Sequence, residues 1–376
     1  MTARQIAIVL QTPKDQQSSV LQTYQDLASE LARRGHLVTI VTPQDFPSVR
    51  GLGGRLTPVI YPFVIGRWMK RHGVACDLVV FHSYSGWRAV SVKRRSGTAV
   101  PTVIAFHGLE PLYHEALRAE TKQAGGLSWR YRALQEWLMP FMLRAACQHA
   151  RRVTCLNTVE RDYLVRHGWA DENRVDVVFH GVPPAFFLPE RPVRSARTLL
   201  FVGQWLPMKG VAYLRDAYTE IARRHIDVSL ICAGTLAPEE RVLSDFDPDV
   251  RPRVQVVPRL DRLALVDLYR QADIMIAPSL YEGFGVALVE AMAARLPMVT
   301  TRVGVAADAL TDGESALVIP TRHAQAIVSE VDRLLADAAL RERLGEAAAD
   351  VALHYRASVA VNDLADRLLR VVNSAL

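Results

Sequence analysis

Two glutamates separated by a glycine turn form the pattern in this sequence with the most chemical content. Glu282 and Glu290 both lie in the segment PSLYEGFGVALVEAMA, which spans 278–293. Gly283 and Gly285 lie between them and allow tight turns and close backbone approach to a ligand. The apolar run that follows predicts a helix, and the first N–H groups of a helix have no intrahelical acceptor. Such groups bind phosphate oxygens.

The place of Glu290 in this helix indicates the kind of ligand. Glu290 comes four residues after Val286, so it lies on the same face one turn further along. Its neighbours in sequence are apolar, and a carboxylate in such surroundings is costly to bury without a partner. An anionic ligand could contact the amides at one end and offer hydroxyl groups to both glutamates. We therefore predict a site for a sugar joined to a nucleotide through a diphosphate.

The same segment resembles the E-x7-E motif of the GT4 family of retaining glycosyltransferases, which have the GT-B fold. The segments QADIMIAPS at 271–279 and RLPMVT at 295–300 resemble the strands that flank this motif in the family. The similarity extends over most of the chain and is strongest from about 198 to 320. It implies an α/β protein with two Rossmann-like, doubly wound parallel-sheet domains that face a central cleft.

Three further segments carry the resemblance. GQWLPMKG at 203–210 resembles the family's G-R-x4-K-G element, whose Arg and Lys hold the donor diphosphate. Gln204 stands where the family has Arg, and it brings neither the charge nor the bidentate fork of that residue. His107, in the segment FHG, resembles a strand-end histidine that faces the donor sugar. His180 opens a segment, HGV, that resembles the family's N-G-(V/I) turn with His in place of Asn.

The resemblance implies a role for each matched position. Glu290 would bind ribose hydroxyls, and Glu282 would bind the donor sugar with His107 opposite. Lys209 and the helix amides would stabilise the charge that grows on the departing diphosphate. The catalytic set is therefore predicted to be His107, Glu282 and Lys209. The predicted donor-binding set is Gly203, Gln204, Lys209, Arg259, Leu260, Glu282, Gly283, Phe284, Gly285, Val286 and Glu290.

Sugar transfer to an acceptor hydroxyl, with retention, is the activity that the resemblance implies, and two alternatives remain open. The loop after the first predicted strand, QTPKDQQSS at 11–19, lacks the Gly-Gly pair that family members carry there. Together with Gln204, this departure favours a catalytically weak nucleotide-sugar-binding subunit as one alternative. A nucleotide-sugar 2-epimerase on the same architecture is the other. The acceptor is expected to be a glycolipid or a saccharide of the cell envelope or an exopolysaccharide.

No metal or other cofactor is expected beyond the nucleotide-sugar substrate. Asp245 and Asp247 match the metal-binding D-x-D of a different glycosyltransferase fold, but they lie in an acidic loop and are predicted to be surface residues. Gly51, Gly53 and Gly54 lack the spacing of a dinucleotide fingerprint. The four cysteines form no C-x-x-C pair, which is typical of reduced thiols in a cytoplasmic protein.

The charge is concentrated in the first half of the chain. Residues 1–190 carry 23 Lys and Arg against 15 Asp and Glu, whereas residues 191–376 carry 22 against 24. Basic clusters at 67–71 and 93–95 predict an anionic partner, such as the inner face of a membrane or a glycolipid. A solvated basic face without a partner is the alternative. No motif for nucleic acid is present.

Length and periodicity predict the domains and their elements. A chain of 376 residues is expected to form two domains, at 1–190 and 191–355, with a final helix at 356–376 that packs on the first. Four prolines between 183 and 192 predict the linker. Strands are predicted at 6–10, 37–41, 78–81, 102–106, 153–156, 175–179, 198–202, 228–233, 254–257, 274–277 and 298–300. Helices are predicted at 20–34, 128–149 and 211–224, with three more at the end of the chain.

Overall fold

The computed structural model divides into two compact units. It describes residues 3–11, 19–50, 57–90, 99–121, 129, 133–190 and 195–374. Unit 1 contains Met1–His114, Gly126–Gly181 and the chain from Ser358 onward. Unit 2 contains Glu115–Gly125 and Val182–Ala357. Each unit is built around one six-stranded parallel sheet.

Unit 1 alternates strands with helices, as the sequence predicts. Its sheet has the order β2-β1-β3-β4-β5-β6. The strands are β1 (Gln5–Val9), β2 (Leu37–Val41), β3 (Leu78–His82), β4 (Thr102–Ala105), β5 (Arg152–Cys155) and β6 (Val175–Val177). The helices are α1 (Ser19–Arg33), α2 (Thr57–Arg71), α3 (Glu110–Thr121), α4 (Met139–His149) and α5 (Thr158–Arg166). The end of α3 belongs to unit 2.

Both faces of this sheet are covered, which explains its continuous apolar strands. On one face, α1 and the final helix, α13 (Ala357–Asn373), bury Leu27, Leu368 and Val372 against Ile6 and Ile8 of β1. On the other face, α2 and α4 pack against the alternate residues of the strands.

Unit 2 repeats the architecture with the strand order β12-β11-β10-β7-β8-β9. Its strands are β7 (Thr198–Val202), β8 (Ser229–Ala233), β9 (Val254–Val257), β10 (Ile274–Ala277), β11 (Met298–Thr301) and β12 (Leu317–Ile319). Its helices are α6 (Val211–Arg224), α7 (Glu239–Ser244), α8 (Arg262–Gln271), α9 (Val286–Ala293), α10 (Val305–Ala309), α11 (Ala324–Ala336) and α12 (Ala338–Ala352).

The division between the units differs from the sequence prediction at two places. It falls after Gly181 rather than at residue 190, because both backbone groups of Val182, the N–H and the C=O, form hydrogen bonds with the segment that ends unit 2. The Val182 N–H donates to Tyr355 O at 2.7 Å, and Ala357 N–H donates to Val182 O at 3.0 Å. The segment Glu115–Gly125 joins unit 2, where Glu120 accepts a hydrogen bond from Tyr213.

Some elements also differ from their predicted form. The single helix predicted over 128–149 is a π-helix at Ala133–Leu138 followed by α4, while residues 122–128 and 130–132 lie outside the described part. Pro140 lies in the first turn of α4, directly after the π-helix. The sequence did not predict α2, because Pro62, Gly66 and several β-branched residues weaken its helix propensity.

Candidate functional site

The two loops that carry most of the predicted residues meet at one point of the unit 2 sheet. Strands β7 and β10 are neighbours, but the chain continues from β7 towards β8 and from β10 towards β11, on opposite sides. In open parallel sheets, ligands bind beyond the carboxyl ends of the strands at such a reversal of strand order. The loop after β7 contains Lys209 and Gly210, and the loop after β10 contains Glu282. The topology thus brings both predicted motifs to one edge.

Gly210 allows these two loops to approach each other closely. It ends the short 3-10 helix Pro207–Lys209 with a φ of 70°, and it caps α6. A Cβ at this position would lie 2.0 Å from Pro278 O, so any larger residue would push the loops apart. The Leu280 N–H also donates to Met208 O at 2.8 Å. The glycine predicted to accompany Lys209 therefore has a packing role.

Lys209 and Glu282 form an ion pair at the centre of this edge. Lys209 Nζ lies 2.6 Å from Glu282 Oε1, and the side chains are 26% and 19% exposed. Ser279 Oγ donates to the same oxygen at 2.7 Å. Thr301 Oγ1, at the end of β11, in turn donates to Ser279 O at 2.5 Å. The carboxylate is held in place, but the pair remains partly open to solvent.

The N-terminus of α9 follows directly after this pair. Gly285 is its N-cap, with a φ of 96°, and no side chain caps the first turn. A Cβ at Gly285 would lie 3.9 Å from Glu282 Cγ, so the helix start and the carboxylate are adjacent. The Val305 N–H donates to Phe284 O at 2.6 Å, which ties the turn to the start of α10. Gly283 lies within this turn and Val286 opens the helix.

Glu290 is a buried carboxyl on α9. Its Oε2 lies 3.0 Å from the hydroxyl of Tyr269 on α8, and that hydroxyl is also 2.9 Å from Ala287 O. Burial raises the pKa of Glu290 to about 7, and the Tyr269 hydrogen bond and the charge of Arg262 offset only part of this effect. The Glu290 carboxyl is thus harder to ionise than an ordinary glutamate.

The remaining predicted residues of unit 2 lie in the loops that follow β7 and β9. A Cβ on Gly203 would lie 3.5 Å from Lys209 Cδ, so Gly203 borders the pair. Gln204 is exposed beside it. Arg259 and Leu260 follow β9, the edge strand, where Arg259 is exposed and Leu260 is partly buried.

The acidic loop around Asp245 is bound to the protein itself. Trp205 Nε1 donates to Asp245 Oδ2 at 2.8 Å, and Arg223 pairs with both Asp247 and Asp249. Within the described ranges, no group of three or more His, Cys, Asp or Glu residues could hold a metal ion.

In unit 1, His107 lies in a cluster of imidazoles at the carboxyl ends of three strands. Its Nδ1 is 3.0 Å from Nε2 of His180, and its Nε2 is 3.0 Å from the hydroxyl of Tyr24. The ring of His82 packs edge-on at 5.1 Å. Burial lowers the pKa of His82 and of His180 to about 4, and burial and both neighbours hold the pKa of His107 well below its usual value.

Sequence reasoning missed several residues of the unit 2 site. Tyr269, Ser279 and Thr301 carry no pattern, because they act through contacts that only the fold creates. Gly304 was also missed, although a glycine shortly after a predicted strand is a usable signal. The residues 12–18 of the loop after β1 and the cluster at 93–95 lie outside the described part of the chain.

Comparison with protein families gives two matches that follow each other along the chain. Residues 22–186 match the family described as "Glycosyltransferase Family 4", and residues 189–351 match "Glycosyl transferases group 1". The D-inositol 3-phosphate glycosyltransferase of Frankia alni is 30% identical over 292 residues, which cover 72% of this chain and 68% of that protein. The chain belongs to the family 4, group 1 glycosyltransferases. It spans about half the length of several other D-inositol 3-phosphate glycosyltransferases that it matches.

Solved structures show the fold of this glycosyltransferase family member to be GT-B. Sucrose-phosphate synthase from Thermosynechococcus elongatus aligns with a TM-score of 0.78 at 18% identity, over 99% of this chain and 100% of that one. Anabaena Alr3699/HepE in complex with UDP and glucose aligns with a TM-score of 0.69 at 15% identity, over 98% and 100%. The predicted fold class and family are therefore confirmed.

Proposed function

We propose that this chain transfers a sugar from a nucleotide-diphosphate sugar to an acceptor hydroxyl, with retention of configuration and without a metal ion. One observation carries the proposal: the Lys209–Glu282 pair lies at the strand-order reversal of the unit 2 sheet, beside the uncapped start of α9. This edge offers a cation, helix N–H groups that no side chain caps and a carboxylate together. A diphosphate joined to a sugar needs all three.

Donor binding would exchange the partners of this ion pair. Phosphate oxygens would accept hydrogen bonds from Lys209 and from the first turn of α9. Glu282 would then exchange its contact with Lys209 for hydrogen bonds from the sugar hydroxyls, while Ser279 continues to donate to its carboxylate. Glu290 would accept from ribose hydroxyls, and Gln204 would donate to the diphosphate. The UDP and glucose bound to the Anabaena protein support a donor of this class.

The chemical step needs electrostatic stabilisation more than a protein nucleophile. The bond between the sugar carbon and the diphosphate oxygen breaks, and negative charge grows on that oxygen. Lys209 and the helix amides stabilise the charge, and preorganised donors of this kind usually supply the largest single contribution to catalysis. The acceptor oxygen bonds to the same face of the oxocarbenium-like sugar. Its proton passes to the departing phosphate.

Product analysis tests this proposal against its two alternatives. The protein is incubated with a panel of nucleotide sugars, and the products are identified by mass spectrometry and by NMR of the anomeric proton. A transferase releases nucleoside diphosphate faster when a saccharide or glycolipid acceptor is added, and the product keeps the donor's anomeric configuration. An epimerase changes the sugar without any acceptor. If the protein binds a nucleotide sugar but transfers the sugar to no acceptor, the result would favour the catalytically weak binding subunit.

For the acceptor side, we propose that unit 1 contacts an anionic membrane or glycolipid surface. The outward face of α2 carries Phe63, 43% exposed, followed by Arg67 and Lys70. Trp137 of the π-helix and Phe141 of α4 are 76% and 61% exposed, and the Arg88 guanidinium lies 4.8 Å from the centre of the Phe63 ring. Aromatic side chains next to basic ones are typical of surfaces that enter a lipid headgroup layer. No helix within the described ranges is long and apolar enough to cross a bilayer.

Vesicle sedimentation tests this surface. Binding to vesicles that contain an anionic lipid should weaken with added salt, and Phe63→Ser together with Trp137→Ser should reduce it further. Ile226→Ser, at an apolar residue of unit 2 that is 83% exposed, is the matched control and should bind as the parent does. Equal binding to neutral vesicles, or an unchanged affinity of the double variant, would contradict the proposal.

A further inference from the structure

His107 belongs to a continuous chain of hydrogen bonds inside unit 1. Thr23 Oγ1 lies 3.0 Å from Nδ1 of His180, His180 Nε2 lies 3.0 Å from Nδ1 of His107, and His107 Nε2 lies 3.0 Å from the hydroxyl of Tyr24. Thr23 and Tyr24 are neighbours on α1, while the two histidines follow β4 and β6. This series of hydrogen bonds therefore begins and ends on the same turn of one helix.

The chemistry of neutral imidazole couples the links of this chain. Each neutral ring has one nitrogen that donates and one that accepts. If His180 donates from Nε2, then His107 must accept at Nδ1 and donate from Nε2 towards Tyr24. If His107 instead donates from Nδ1, its Nε2 must accept from the Tyr24 hydroxyl. The tautomers of the two histidines therefore change together.

We propose that Tyr24 and His180 are positioning residues, which fix the ring orientation and the tautomer of His107. This inference rests on the proposed function and on the role that the family resemblance implies for His107 beside the donor sugar. Both nitrogens of His107 are occupied within the protein, so the imidazole can contact a sugar or phosphate only when one partner is exchanged. Tyr24 is the partner at Nε2, so a ligand group would replace the Tyr24 hydroxyl there while His180 keeps its hydrogen bond to Nδ1.

Packing around the ring supports a fixed orientation. Tyr24 and His82 meet His107 edge-on, each with ring centres 5.1 Å apart, and His180 lies tilted at 4.8 Å. A cavity of about 20 Å³, lined by Tyr24, His107, His180 and apolar residues of α13, adjoins the chain and has room for one water. His180 occupies the position where the resembling family has Asn. An imidazole at this position can hydrogen-bond to both Thr23 and His107, which makes the series of hydrogen bonds continuous.

Nitrogen NMR on the full chain with ¹⁵N-labelled histidine tests this proposal directly. Such spectra distinguish a protonated ring nitrogen from a bare one, so the parent protein should show one dominant tautomer for His107. Tyr24→Phe removes only the hydroxyl and should convert this signal into a mixture of tautomers. Tyr61→Phe is the matched control, since its hydroxyl is also buried in unit 1 but donates to Leu10 O. His107 signals that are identical in the parent and in Tyr24→Phe would overturn the proposal.

Kinetics provide the second readout. Tyr24→Phe and His180→Phe should each lower kcat roughly tenfold, which corresponds to one hydrogen bond, while KM for the donor changes little. His180→Asn, whose amide can donate and accept, should recover part of this loss. The pH profile should shift in the same variants, since Tyr24, His82 and His180 are the titratable groups against His107. A pH profile and kcat equal to the parent's in both Phe variants would contradict a positioning role.

These two readouts separate failure of the inference from failure of the proposed function. If no sugar transfer is found but Tyr24→Phe still changes the His107 tautomer, then the proposed function fails and the hydrogen-bonded chain stands. If transfer occurs with retention but the tautomer and kcat are unaffected by both variants, then the function stands and the positioning role fails.

Discussion

The carboxyl edges of the two sheets differ in the charge and the solvent exposure of their side chains. At the unit 1 edge, three imidazoles pack together, with His180 buried and His82 and His107 partly buried, and all three have lowered pKa values that keep them neutral. At the unit 2 edge, Lys209 and Glu282 keep their partial contact with solvent. The first arrangement suits fixed orientation of an uncharged group, whereas the second suits exchange of partners with a charged ligand.

The two edges also respond to pH in opposite directions. Glu290 has a folded pKa of about 7, above its ordinary 4.5, so the stability it gives is present at low pH and is lost as pH rises from about 4.5 through 7. His82 and His180 have folded pKa values of about 4, below their ordinary 6.5. Their contribution is present above pH 6.5 and is lost as pH falls towards 4. Acid therefore disfavours the folded state through these histidines of unit 1 and favours it through Glu290 of unit 2.

The largest expected effect is on turnover at the unit 2 edge. Lys209→Ala and Glu282→Ala should each lower the transfer rate by roughly 100-fold or more, because each removes a group that stabilises the transition state. Steady-state release of nucleoside diphosphate measures this loss. Arg223→Ala is the control, since it breaks an exposed ion pair with Asp247 in the same unit. Rates near the parent's in both edge variants would refute the assignment of the ion pair to catalysis.

The largest effect on folding stability concerns the backbone that holds this edge together. Gly304 has a φ of 57°, and a Cβ there would lie 2.4 Å from Phe284 O and 2.7 Å from Glu282 Cβ. Gly304→Ala combines overpacking with a left-handed backbone and should lower the free energy of unfolding by about 4 kcal/mol. Chemical denaturation measures this cost, with the unit 2 transition followed separately from that of unit 1.

Gly313→Ala is the matched control for this substitution. Gly313 also has a positive φ, 74°, but no atom lies within 4 Å of its Cβ position. Only backbone strain remains there, so a loss of about 1 kcal/mol is expected. Equal losses for the two glycine variants would show that the contact with the Glu282 turn does not matter.

Sequence alone predicted much of unit 2, because its pattern is local. Strands β7, β9 and β10 begin and end at the predicted residues, and Lys209, Glu282 and Glu290 come from two short segments. The partners of these residues were not predictable. Tyr269 is 21 residues from Glu290 and shares no spacing with it, so only the packing of α8 against α9 makes the pair.

Unit 1 shows the limit of such reasoning more clearly. His107 was found from its position after a strand, but its partners come from α1 and from the chain after β6, and Thr23 and His180 are 157 positions apart. Burial rather than residue type sets the protonation state of these histidines. A single sequence contains no signal for burial of this kind, so their neutral state could not be predicted.

The pH response of unit 2 depends on the buried carboxyl of Glu290. Glu290→Gln keeps the shape and the Tyr269 contact but removes the ionisable group. At pH 8 the free energy of unfolding should be about 3 kcal/mol higher for the variant than for the parent, because the folded parent must ionise a buried carboxyl at that pH. At pH 4.5 the two should be equal. Urea denaturation at both pH values tests this, and a constant difference across pH would show that ionisation of Glu290 is not the cause.

The smallest effect addresses the same contrast from unit 1. His82→Phe keeps an aromatic ring against His107 and removes a buried imidazole whose Nδ1 has no hydrogen-bond partner among the described residues. At pH 5 the parent unfolds more readily because its unfolded chain binds a proton that the folded His82 excludes. The difference in free energy of unfolding between the variant and the parent should therefore be about 2 kcal/mol more favourable to the variant at pH 5 than at pH 7.5. Hydrogen exchange, corrected for intrinsic rates, should confine this gain to unit 1 amides. A gain of equal size at unit 2 amides would mean that the two units unfold together.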